Sequence, residues 1–119
     1  MKKMIALFAG IFSVGAVAAD YSVGQIWEYQ TRPNEERSHL YIVRIDSQDK
    51  LSNIYHIYVD GVLIKNPHID GGIQKQLPHA PVNEKTLKNS LIKLVGSTTD
   101  LPDISEGYAV WKEAFELTI

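Results

Sequence analysis

The 119-residue chain contains no cysteine. That removes disulfide staples, thiol nucleophiles and cysteine-ligated metals together, so the fold must be held by burial alone. Charge of one sign is also missing: 12 Lys and Arg against 14 Asp and Glu leave a formal charge of −2. The acidic residues are scattered, and no basic patch is interleaved with aromatics, which argues against nucleic acid as a partner. A phosphate loop is missing too, because Gly71-Gly72 lacks the Lys-Ser/Thr pair and the following helix. No serine stands in a Gly-x-Ser-x-Gly setting. Repeats, low-complexity tracts and domain linkers are absent.

What is present begins with a leader. Lys2 and Lys3 give a positive start, Met4 to Val17 an uncharged apolar core, and Ala16-Val17-Ala18-Ala19 the small residues a signal peptidase requires. The apolar run is shorter than the ~20 residues of a membrane span, and no second run follows. With no cysteine at the cleavage point, a lipoprotein anchor is excluded. Cleavage is expected after Ala19, with Ala18 as the alternative. The chain then divides into a cleaved signal peptide, 1–19, and one domain, 20–119, of a size that suits a single core. Losing Lys2 and Lys3 takes the formal charge from −2 to −4. The expected destination is the periplasm or the exterior, with no membrane span after cleavage.

Three aromatic and β-branched runs organise the mature chain: GQIWEYQTR from Gly24, SHLYIVRID from Ser38 and NIYHIYVDGVLIKN from Asn53. In the first, Trp27 and Tyr29 alternate with Ile26 and Glu28, the period of two that a strand needs. In the second, Leu40, Ile42 and Arg44 alternate with Tyr41, Val43 and Ile45, which predicts a central strand covered on both sides. The polar stretches Thr31–Ser38 and Asp46–Asn53 read as connections, and an antiparallel meander is the default for such a series. Asp60-Gly61 is a hairpin-turn dipeptide. It slightly favours a fourth strand over Val62–Lys65, the alternative being one long strand bulged at Gly61. Asn66 to Val82, with Pro67, Pro78 and Pro81, reads as one long irregular loop.

Two helices are expected after it. Asn83 is placed as an N-cap, Val82 and Leu87 as a hydrophobic staple, and Leu87, Leu91 and Leu94 as an apolar stripe ending at Gly96. The second has Asp103 as cap with Glu106 three residues on, and Ile104, Tyr108, Trp111 and Phe115 as its stripe, read as core against the sheet. Gly107 in its interior costs about 1 kcal/mol against alanine, which implies close backbone packing there. The fold class is therefore α+β: a small antiparallel sheet of three to four strands in a meander, followed by two C-terminal helices packed on it.

Among residues that carry chemistry, His39, His56, His68 and His79 are separated by gaps of 17, 12 and 11. None has the local spacing of a metal site, so no metal and no cofactor is expected. His56 reads as a hydrogen-bonded core residue, His68 and His79 as solvated loop residues. Glu35 and Glu36 read as solvated turn charges rather than an acid/base pair. The polar groups at strand ends and on the long loop, Arg32, Lys65, His68 and His79, are the expected binding residues. Prolines stiffen that loop and lower the entropy lost when it docks.

Three segments together, Trp27-x-Tyr29-x-Thr31-Arg32-Pro33-x-Glu35, Ile64-Lys65-Asn66-Pro67-His68 and Gly107-Tyr108-x-x-Trp111-x-x-Ala114-Phe115, resemble a widespread family of small uncharacterised bacterial proteins. The resemblance covers most of the mature chain in order; it implies one compact domain and no particular activity. Members of that family continue past the Ala-Phe pair with another strand-like segment. This sequence stops at Ile119, so a shortened final element or a missing last strand is expected. The functional expectation is a non-catalytic exported binding protein with a protein partner in the cell envelope, such as an inhibitor or immunity protein acting on an envelope enzyme. The alternative is a small periplasmic hydrolase or metal-dependent enzyme built on the histidines.

Overall fold

The computed structural model describes residues 21–47 and 52–118. The predicted signal peptide lies outside the described residues, as does the middle of the second connection. Five strands and two helices follow in the order β1 (Gln25–Tyr29), β2 (Leu40–Asp46), β3 (Ile54–Lys65), β4 (Ile73–Asn83), α1 (Glu84–Ser90), β5 (Leu91–Ser97) and α2 (Ser105–Thr118). The strands form one sheet in the order β4-β3-β2-β1-β5 with every neighbour antiparallel. The α+β class holds, with one strand more than the three to four expected.

The expected meander occupies four strands, but two segments differ from the sequence reading. β3 runs unbroken for 12 residues through Asp60-Gly61 instead of turning there. Gly61 adopts φ +64°, and the pairing with β4 shifts register between Asp60 and Ile64, so the dipeptide makes a bulge. The chain is held straight on by the connection beside it. His39 N–H donates to Asp60 Oδ1 at 2.7 Å, Asp60 N–H donates to His39 O, and a Cβ at position 61 would stand 3.0 Å from Ser38 Cα. The second difference is the long loop, which shrinks to residues 66–72 because Ile73 to Asn83 is β4. Pro78 and Pro81 are compatible with that strand because β4 is an edge of the sheet, where one row of N–H groups has no strand to bond.

Asn83 caps α1 as expected, its Oδ1 accepting from Thr86 N–H at 2.8 Å. The helix then stops at Ser90, far short of the predicted Gly96. Leu91 turns extended, and β5 pairs along β1. Because β4 and β5 are opposite edges of the sheet, α1 carries the chain between them and buries Leu87 on the way. Leu87 joins Leu40, Ile42, Tyr55, Ile57, Val59 and Val62 in the core, with Val82 packed against them as the staple requires.

A bulge in β2 decides which side chains reach each face. Ile42 pairs with Ile57, and the next partner of His56 is Arg44, so Val43 is the extra residue. The slip moves Arg44 onto the face of His56 and lets Ile45 join the core side, reversing the strict alternation read from sequence. Tyr55 and Ile57 face α1 and the core, while His56 between them faces α2. The helices thus pack on opposite faces. α2 begins at Ser105, one residue later than a cap at Asp103 would place it; Asp103 Oδ1 accepts from Ser105 N–H at 2.9 Å, and Ile104, whose carbonyl accepts from Tyr108 N–H, occupies the cap position instead. No helix among the described residues is long and apolar enough to cross a membrane.

Candidate functional site

On the α1 face of the sheet lies an open cavity of about 390 Å³. Its walls are apolar: Leu40, Ile57, Val59, Val62, Ile64, Leu77, Val82 and Leu87. Alternation supplies the strand residues, since each is on the inward face of its strand, and α1 supplies Leu87. The volume falls within the range of about 300–1,000 Å³ common to ligand pockets, whose walls are also mostly apolar. The polar lining comes from Tyr29, Gln30, Arg32, Glu35, Thr86 and Ser90.

Two of these polar residues form a built ion pair. After β1 the chain makes two successive turns, Glu35 N–H donating to Arg32 O and Ser38 N–H to Glu35 O, with Asn34 in the left-handed region at φ +71°. The first turn brings Arg32 Nε within 2.8 Å of Glu35 Oε1 and Nη2 onto Oε2. Leu63 N–H donates to the same Oε2 at 2.6 Å. Glu35 is only 4% exposed, which corrects its reading as a solvated turn charge. The Arg32 hydrogen bonds, followed by that of Leu63, hold its carboxyl down at about 2, so Glu35 is an anion at every ordinary pH. Arg32 also reaches Leu63 O at 3.3 Å, yet its side chain remains 64% exposed. It stands at the cavity mouth. Beneath it, buried Ser38 spends its only hydrogen on Asp60 O, so Tyr29 Oη must be the donor in the 2.7 Å contact with Ser38 Oγ.

The opposite face carries a second polar cluster. His56 is completely buried, with Nε2 at 3.1 Å from Asp46 Oδ2 and Nδ1 at 2.9 Å from His79 Nε2. Asp46 is pushed up by burial but held below its ordinary value overall by hydrogen bonds from Arg44, Tyr108 and His56. As a carboxylate it only accepts, so His56 Nε2 carries the proton. Burial lowers both histidines, which keeps them neutral; His56 Nδ1 then accepts, and His79 Nε2 donates. Tyr108 Oη donates to Asp46 Oδ2 at 3.0 Å, and Arg44 lies 4.3 Å over the Tyr108 ring. His79 stacks on His56, while Tyr108 and Trp111 meet its edge, with Phe115 stacked on Trp111. A Cβ on Gly107 would stand 2.7 Å from His79 Cβ, so the expected close approach at this glycine is real. With both ring nitrogens of His56 satisfied and the ring sealed, this cluster props α2 on the sheet.

The four expected binding residues are not gathered into one place. Arg32 stands at the cavity mouth, and Lys65 with His68 lies at the β3–β4 turn, where His68 N–H donates to Asn66 Oδ1. His79 belongs to β4 and is partly buried under α2, so it is neither a loop residue nor a solvated one. Among the described residues, no group of three or more His, Asp and Glu side chains is arranged to hold a metal ion. Reading the sequence missed Glu35, Ser38 and Asp46. Only Glu35 left a signal, the Arg-x-x-Glu spacing across a Pro-Asn turn.

Fold and cavity define a small α+β protein with an apolar pocket on one face of its sheet. No family model matches this chain, nor does any curated protein or solved structure.

Proposed function

We propose that this is an exported, non-catalytic binding protein of the cell envelope, and that it engages a protein partner by receiving an apolar part of it in the cavity under α1. An inhibitor or immunity protein acting on an envelope enzyme is a role of this kind. The open apolar cavity of about 390 Å³ carries the reading. Its walls are largely apolar and offer water few hydrogen bonds. Displacing poorly ordered water from such a surface with an apolar group favours binding. The histidine cluster gives the enzymatic alternative less support, because His56 is sealed and both its nitrogens are engaged. Affinity capture from a periplasmic extract on the tagged mature protein should retain one stoichiometric partner identifiable by mass spectrometry. Hydrolytic turnover by the purified protein, with no such partner, would overturn the proposal.

A further inference from the structure

We infer that α2 is an acid-released flap: when His56 and His79 both take up protons, the helix leaves the sheet and the rest of the fold stays assembled. The inference does not depend on the cavity reading. It starts from the imidazole pair on the other face. His79 Nε2 lies 2.9 Å from His56 Nδ1, and that contact is a hydrogen bond only while one of the two facing nitrogens lacks a hydrogen. One added proton is compatible with it, because either ring can be cationic while the other keeps an accepting nitrogen. Two are not. Hydrogens on both facing nitrogens would meet with no acceptor between them, at a ring sealed from water. The neighbours give little relief. Asp46 of β2 is the carboxylate facing His56, and it already accepts from Arg44 Nε and Tyr108 Oη. Arg44, also of β2, adds a positive charge beside the cluster, and Tyr108 is the titratable group that α2 turns toward both rings.

The fold lets α2 go separately. None of its residues is buried, and it packs along β4 at the edge of the sheet. Among the described residues, the core cluster and the side chains packed against it include none from α2. Local opening follows the route that gives up the fewest buried apolar contacts. What holds the helix is the edge contact of Tyr108 and Trp111 with His56, and the Tyr108 hydrogen bond to Asp46. Burial lowers both histidines while α2 is docked, whereas released they titrate near the ordinary value of about 6.5. Below that pH the released form therefore binds more protons. Docking then weakens about tenfold per pH unit for one proton and about a hundredfold for two.

Trp27 and Trp111 are the only tryptophans, so Trp27→Phe leaves a reporter on α2 and Trp111→Phe a reporter in the sheet. The mature variants are titrated from pH 7.5 to 4.5, which stays above the ordinary aspartate value of about 3.9. Trp111 emission should shift to the red with an apparent slope above one proton, and acrylamide quenching should rise about twofold. Trp27 emission should hold, with a cooperative urea transition still present at the acid end. Adding His79→Gln, which leaves one titrating ring, should move the Trp111 transition to lower pH and bring its slope to one or less. In the wild type, hydrogen exchange corrected for its intrinsic pH dependence should show residues 105–118 losing protection at pH 5 while β2 and β3 keep theirs. Protection retained in α2 at pH 5, or lost from α2, β2 and β3 together, overturns the inference without any variant having to fold. A Trp111 transition unchanged by His79→Gln overturns the role of the imidazole pair.

Discussion

Ile42 and Leu87 are equally sealed, at 0% and 1% exposure, yet truncating them should not cost the same. Either change to alanine removes about three methylene equivalents, worth roughly 0.8 kcal/mol each, or about 2.4 kcal/mol of lost transfer energy. The difference lies in what the deletion leaves. Ile42 sits in the centre of the sheet and is not part of the cavity wall, so Ile42→Ala opens an enclosed void whose lining loses its contacts. That adds roughly 1–2 kcal/mol, for a total near 4 kcal/mol. Leu87 is already on the wall of the open 390 Å³ cavity. Leu87→Ala merely enlarges a space water can enter, and alanine is at least as good as leucine in a helix, so its cost should stay near 2–2.5 kcal/mol. Urea denaturation of both variants at pH 7.5, with unchanged slopes, measures the gap directly. Equal costs, or a greater cost at Leu87, would mean that the cavity is closed in solution and would remove the basis for a binding site there.

Three further outcomes follow from the same structure. Gly107→Ala should destabilise the protein by about 1–3 kcal/mol despite a helix-propensity gain of about 1 kcal/mol, because the new Cβ meets His79 Cβ at 2.7 Å; a raised thermal midpoint would refute the tight α2 contact. His56 and His79 are lowered in the folded state by burial, so the unfolded chain binds more protons below about pH 6.5. Their contribution is complete above that pH and is lost as pH falls, and His79→Phe should shrink the drop in denaturation midpoint between pH 7.5 and 5.5; Glu35, held at about 2, adds a loss only below about pH 4.5. For export, protein expressed with its leader should be recovered in the periplasm beginning at Asp20, and mature protein still carrying Met1 would contradict it.

The parts legible in the sequence were those where one local signal acts alone. Alternation found β1, β2 and the first half of β3, and Asn83 with Val82 and Leu87 located the start of α1. The misreadings all came from signals that tertiary pairing overrode. Leu87, Leu91 and Leu94 fit a helical stripe, but Ile92, Val95 and Thr98 are β-branched, and the free edge of β1 took the segment as a strand. Pro78 and Pro81 argued for a loop because prolines are unsuited to inner strands; nothing local announced that this strand would be an edge. Asp60-Gly61 favours a turn in isolation, whereas hydrogen bonds from residues 38 and 39 hold it in a bulge. The site was less legible still. Arg32 was singled out for its place at a strand end, and its partner Glu35 is set by the local turn, but the cavity depends on how α1 crosses the sheet, and the His79–His56–Asp46 line depends on a bulge at Val43 that leaves no mark in composition or spacing.

The central claim is that a partner enters the cavity under α1, and partner capture by two matched variants tests it most directly. Thr86→Trp places a large ring at the cavity mouth from a solvent-exposed position. Val110→Asp changes another exposed site, on α2 across the sheet. With both variants folded to the wild-type denaturation midpoint, the account predicts that Thr86→Trp loses at least tenfold in the amount of partner retained from periplasmic extract, while Val110→Asp retains it fully. Full retention by Thr86→Trp, or loss confined to Val110→Asp, would contradict it.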